Sequence, residues 1–406
     1  MTLPITRPIT HPATLPLTGG GITGAWSSGP FSLLGNAIGS TYNHTSICRL
    51  DPNGRLWAVA GANSVLTCYD VSSGTPVKLA EITDTTNLHG GSDICFTADA
   101  HYAYTTAETS ACLAIYDISA AGSGTITLIG ALTDATNLAG ATRCAMNPAG
   151  THIAVATNAR RGIYIAAMGS AGSVPTFLVE YRGGTPNTSF QGMRCVIWPS
   201  VDSAGYIYYA CESTAGASVW GVGKVSVDLV TPAIADVWHE ANTTTSNTDF
   251  KASKGVLYNA NDDLIYCSIG TGAGSPARGE IVIMQRDQTI VEAYPITGAA
   301  NTNSPNALNN TRCAARIDWN SRKFLLCNAE IASNLILLEV TTPTTPTVVA
   351  YTQGPVPLTT LNGSMWLVVS STANANVFNI WVACFSENGN PNQGIQGVKL
   401  DFTKIT

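Results

Sequence analysis

An all-β fold is predicted, made of seven four-stranded antiparallel units closed into a ring, and three features of the sequence predict it. A strand pattern recurs at intervals of about fifty residues. Each copy divides into short apolar runs separated by turn residues. The last copy lacks its fourth run, and a matching run stands upstream of the first copy.

Cys48, Cys95, Cys144, Cys195 and Cys313 mark the opening strands of five copies, and two more open at Gly255-Val256 and near Met365-Trp366. Units arranged in series cannot bury their apolar faces alone, so they must stack on one another. In the first unit the strands fall at 47–50, 56–60, 65–70 and 77–82, with Asp51-Pro52-Asn53-Gly54 as the first turn. The second unit repeats this with a strand opening at Cys95-Phe96, the turn Ala98-Asp99-Ala100-His101, and strands at 102–105, 113–118 and 126–132. The third carries Asn147-Pro148-Ala149-Gly150 in the same turn. Proline and glycine there preset the backbone angles of a tight reversal. Four antiparallel strands at this period describe a propeller blade. Cysteine, glycine and alanine on the first strand suit the crowded position nearest the axis.

The seventh unit has strands at 366–370, 377–385 and 395–402, after which the sequence ends. Residues 31–38, FSLLGNAI, resemble the fourth strands 77–82 and 126–132. They are predicted to complete the last blade, with Leu33 beside Val398, leaving the ring without an open edge.

The pattern resembles seven-bladed propellers of the YVTN-type and lactonase-like kind, whose blades carry an N/D-P-x-G-like turn before a V-A strand. The resemblance covers residues 31–406. It implies the fold and leaves the chemistry open, because propellers host enzymes, adhesins and scaffolds.

The expected organisation is an extended arm over residues 1–29 and a propeller over 30–406. In the arm Pro4-Ile5-Thr6-Arg7, Pro8-Ile9-Thr10-His11, Pro12-Ala13-Thr14-Leu15 and Pro16-Leu17-Thr18 form a four-residue repeat, followed by Gly19-Gly20-Gly21. Proline at every fourth position forbids a helix and favours an extended run reaching about 55 Å over the first eighteen residues. Apolar residues beside each proline suit an arm that lies along a neighbouring subunit. Such arms, joined to Thr/Asn/Ala/Gly-rich β-domains of low charge, resemble the N-terminal anchors of tailed-bacteriophage particle proteins. The resemblance implies a non-enzymatic virion component, a fibre, spike or decoration protein. Its expected partners are other virion proteins, further copies of itself, and a host glycan or protein receptor. The alternatives are a cellular propeller scaffold or adhesin, and a lactonase-like or sugar-processing enzyme that would use His89 or Arg194.

Composition narrows the partners. Charged residues make up 11% of the chain and the net charge is −6, which disfavours nucleic acid. No apolar run reaches the roughly 20 residues of a membrane-spanning helix, and no secretory leader is recognisable. The eleven cysteines show no C-x-x-C pair or zinc spacing and are expected to be buried thiols of a protein made in a reducing compartment. No metal or cofactor is expected.

Candidate ligand residues gather on the face carrying the fourth-to-first and second-to-third strand loops. Arg143, Arg194, Lys254 and Arg312 enter the first strands of units three to six, and Glu108, Glu212, Glu330 and Glu387 follow second strands. They can receive an anionic ligand, or form Arg–Glu pairs such as Arg194 with Glu212 and Arg312 with Glu330. His89 or His44 beside Asp93 or Glu108 is the one arrangement resembling a general base. The loops opening at Asp84 and Asp134 either cap their own turns or contribute to a calcium or sugar site. Tyr42, Phe190 and Trp238 are candidates for stacking on a sugar ring.

Overall fold

The computed structural model describes residues 30–38, 45–182, 192–199, 205–211, 221–241, 253–269, 279–287, 289–296, 311–329, 334–352, 364–384 and 394–405. The predicted arm, together with His44, Tyr42, Phe190, Glu212, Glu330 and Glu387, lies outside them.

Seven four-stranded antiparallel sheets follow one another along the chain. Blade 1 consists of Thr45–Leu50, Leu56–Ala60, Val65–Asp70 and Val77–Thr83. The first strands of the other blades are Gly91–Phe96, Ala141–Met146, Met193–Ile197, Ser253–Asn259, Thr311–Trp319 and Ser364–Ser371. These first strands touch one another in a closed circle, the last against the first. The protein is a seven-bladed β-propeller.

Closure occurs as the sequence predicts. Phe31–Ile38 pairs antiparallel with Gly394–Asp401, Leu33 opposite Val398 and Phe31 opposite Leu400. The Asp401 N–H extends the pairing by donating to Pro30 O at 2.8 Å.

Burial explains the apolar runs. Leu56–Ala60 is buried at every residue and Val65–Asp70 at all but its last, because both faces of a middle strand lie against neighbouring blades. The outer strand Val77–Thr83 is mostly exposed or half-buried. Among the described residues the core is seven clusters, each filling one gap between adjacent blades. Ile47, Trp57 and Leu66 of blade 1 meet Ile94, Ala103 and Tyr116 of blade 2. Cys48, Leu56 and Tyr69 on the other face of blade 1 meet Trp381 and Ile395 of blade 7.

The first turn of blade 1 shows why its residues are chosen. Gly54 takes φ +78°, a left-handed conformation that a Cβ disfavours. Asp51 Oδ1 accepts the N–H groups of Asn53 and Arg55, and its Oδ2 accepts Arg55 Nε at 2.7 Å and Trp57 Nε1 at 2.9 Å. One buried carboxylate thus fixes a turn, a cation and a core indole.

Two irregularities recur in register. Every first strand carries a bulge after its first residue. Outer strands of blades 1 to 6 carry another, which leaves Ile129 and Val237 turned outward. Bulges bend an edge away from further pairing.

Candidate functional site

The inner bulge sets the chemistry of the loop face. In blades 1 to 3 the bulged residue is Ser46, Ser92 or Thr142, and its hydroxyl donates to the next blade. Ser46 Oγ reaches Gly91 O at 2.7 Å, Ser92 Oγ reaches Ala141 O at 2.6 Å, and Thr142 Oγ1 reaches Met193 O at 2.8 Å. In blades 4 and 5 the same position holds Arg194 and Lys254, and the shifted stretch of blade 6 contains Arg312. The channel rim is therefore stitched by hydroxyls in blades 1 to 3 and carries cations in blades 4 and 5. Arg194 and Lys254 are half-buried and engaged with neighbouring groups.

Arg143 does not belong to that set, contrary to the sequence expectation. It lies one residue beyond the bulge, in register with Asp93 and Trp366. Its guanidinium donates to Ser92 O at 2.6 Å and Thr142 O at 3.0 Å, and stands 5.0 Å from the Trp366 ring centroid. Cys48, Cys95, Cys144 and Cys195 likewise share the inner strands without sharing one register position. The inserted bulge residue is what spoils an alignment made by counting.

Arg49 and Trp366 complete a cluster that the sequence did not single out. Arg49 of blade 1 grips Asp93 of blade 2 through Nε to Oδ1 at 2.7 Å and NH2 to Oδ2 at 2.8 Å. Asp93 also accepts its neighbour Ile94 N–H and, from blade 3, Cys144 N–H at 3.0 Å. Burial opposes the Arg49 charge, and the Asp93 carboxylate more than offsets it, so the guanidinium is held protonated. Arg49 and Arg143 both stand over Trp366 of blade 7, an arrangement worth about 0.5–2 kcal/mol per cation. Four blades are joined at the axis by these side chains. An aspartate opposite an arginine one unit earlier is the only signal the sequence holds for this pair.

Asp93 is fully buried and committed to these bonds, which removes it as the partner of His89 in a general base. His89 is exposed, and its carbonyl accepts the Ser110 N–H and hydroxyl. Glu108 is also exposed on this face, its N–H bonded to Gly90 O. The Glu212 and Glu330 partners foreseen for Arg194 and Arg312 lie outside the described residues.

The paired loops after the fourth strands cap themselves. Asp84 Oδ1 accepts the Thr86 and Asn87 N–H groups, and its Oδ2 accepts Asn87 Nδ2 and the Tyr116 hydroxyl. Asp134 repeats the pattern with Thr136 and Asn137. Burial alone would raise both carboxyls, yet these donors hold each below its ordinary value. Both carboxylates are occupied by their own loops, as turn capping requires.

Ten cysteines are buried free thiols. Burial pushes Cys68, Cys112, Cys211 and Cys384 up to about 12, so they are poor nucleophiles at neutral pH.

No protein-family model and no curated protein matches the chain. Solved structures do. Hydrazine synthase of Kuenenia stuttgartiensis matches with a TM-score of 0.62 at 11% identity over 90% of this chain and 98% of that one. The periplasmic gluconolactonase of Pseudomonas aeruginosa matches with 0.59 at 11% identity, over 76% and 85%. The β-propeller domain of Cps50 (Swd1) from Myceliophteria thermophila matches with 0.57 at 7% identity, over 88% and 96%. The chain thus has lactonase-like and WD40-like neighbours, and likeness at such identities defines the fold alone.

Proposed function

We propose that this propeller is a non-enzymatic attachment or structural component of a tailed-bacteriophage particle, anchored by residues 1–29 and presenting its surface to a receptor or neighbouring subunit. The observation that carries the reading is the place where the leading segment joins the ring. Pro30 precedes the outermost strand of blade 7, so the proline repeat containing Pro4, Ile5, Pro8, Ile9, Pro12, Pro16 and Leu17 is covalently continuous with a strand on the outside of the ring. Two further features support it. The channel charges Arg49, Asp93 and Arg143 are used to hold blades together, and the buried thiols suit assembly in a reducing cytoplasm.

The test is deletion of residues 1–29. The truncated protein is expected to melt at the temperature of the full chain and to be absent from purified particles. Incorporation at the full level would overturn the reading.

A further inference from the structure

The gap between blades 4 and 5 departs from the other gaps at one register position. On each third strand of blades 1 to 6, a single residue faces the last pair before the outer bulge. In blades 1, 2, 3, 5 and 6 that residue is Cys68, Ile115, Ile165, Ile283 or Leu337. In blade 4 it is Lys224, paired with Trp238, where blades 1, 2 and 6 have Ala80, Gly130 and Ala350. Burying a lysine at a site built for an aliphatic side chain is costly unless its charge is engaged. Lys224 is 8% exposed, and its Nζ lies 4.0 Å from the Tyr206 ring centroid and 5.2 Å from that of Tyr208.

Around this pair lies a cavity of about 780 Å³, lined among others by Val237, Trp238, Asp262, Asp263, Arg286 and Asp287, a size typical of small-molecule sites. The indole is pinned across the blade boundary by Nε1 donating to Arg286 O at 3.1 Å. Asp263 binds Arg286 through Oδ1 to Nε at 2.6 Å and Oδ2 to NH2 at 3.0 Å, and accepts the Tyr258 hydroxyl. Asp262 engages Arg316 and the Tyr266 hydroxyl through Oδ2, while its Oδ1 is buried without a hydrogen-bond partner among the described residues. Such an orphaned acceptor costs about 1–3 kcal/mol until a donor reaches it.

From these features we infer that the blade 4–5 cleft binds a neutral pyranose sugar. Two cations, Lys224 and Arg286, face three carboxylates, Asp262, Asp263 and Asp287. Asp262 is also paired with Arg316 and Lys323, and Arg316 with Asp318, so cations and carboxylates balance around the cleft and neither an anion nor an amine is favoured over a neutral ligand. A pyranose has an apolar C–H face to set against Trp238 and Val237, and hydroxyls that donate to carboxylates and accept from Lys224 and Arg286. The inference names the ligand class of the attachment reading above and rests on that reading for its biological setting.

The experiment titrates the full chain with methyl glycosides of glucose, galactose, mannose and N-acetylglucosamine, read by saturation-transfer NMR and tryptophan fluorescence, with N-acetylneuraminic acid and glucosamine as charged controls. At least one neutral glycoside is expected to bind with a Kd near 1 mM, and Trp238→Ala to weaken it by about tenfold or more. Arg286→Ala, at the cleft's edge, is expected to weaken the same glycoside with an unchanged melting temperature, so a folding defect in the tryptophan variant does not decide the matter. The inference is overturned by no neutral binding at about 50 mM, by binding that survives both substitutions, or by preference for a charged control. Because this assay uses the isolated chain and the arm deletion is scored on particles, either reading can fail without the other.

Discussion

Asp51 shows how much one residue can carry in this ring. Its carboxylate closes the first turn, pairs with Arg55 and satisfies the buried Trp57 indole, and the residue is 4% exposed. Asp51→Ala is expected to lower stability by about 3 kcal/mol in urea unfolding, because it strands a partly buried cation and an indole N–H together. The thiols give a second residue-scale expectation. With ten of eleven cysteines buried and several raised by burial, no more than one thiol should react rapidly with a disulfide reagent at pH 8 before denaturant is added. The pH sense follows from the shift: a raised thiol is almost wholly protonated at pH 8, and the thiolate is the reactive form. The self-capping role of Asp84 and Asp134 was legible in sequence, since an aspartate three residues before an asparagine carries its own mechanism. The Arg49–Asp93 pair was not, because the residues are 44 positions apart and meet only when two blades are laid side by side.

The decisive element is the strand Phe31–Ile38. Phe31 is fully buried in the cluster between blades 6 and 7, with Phe324, Leu337, Ile380 and Val398. Phe31→Ala is expected to cost about 3–5 kcal/mol in thermal or urea unfolding, far more than Leu33→Ala, whose side chain is 41% exposed. Closure could be read from the sequence because a missing fourth strand and a surplus one of matching pattern point to each other. Strand positions were also legible: Leu56–Ala60 and Val65–Asp70 fall where their apolar runs predict. The bulges escaped, since one inserted residue leaves hydropathy almost unchanged while reversing which face every later side chain takes. Arg143 therefore keeps step with Arg194, Lys254 and Arg312 in the sequence yet lies one register position further along its strand, and Lys224 is exceptional only against the pairing partners of the third strands.

At the scale of the whole molecule, stability is distributed over seven gaps, each with its own cluster, and charge is distributed unevenly around the axis. Deleting residues 1–29 removes none of the described clusters, so the melting temperature of the truncated protein is expected to stay unchanged. Repetition makes the plain gaps a baseline: where five blades share a hydrophobic residue at one register position, the one that abandons it marks the place to probe for binding.

The ring-closing strand has a mechanical consequence. Tension on the leader enters the domain at Pro30 and is borne first by the hydrogen-bonded ladder between Phe31–Ile38 and Gly394–Asp401. That seam is the fuse of the ring: a load strong enough to part it opens blade 7 while the other six sheets keep all four of their strands.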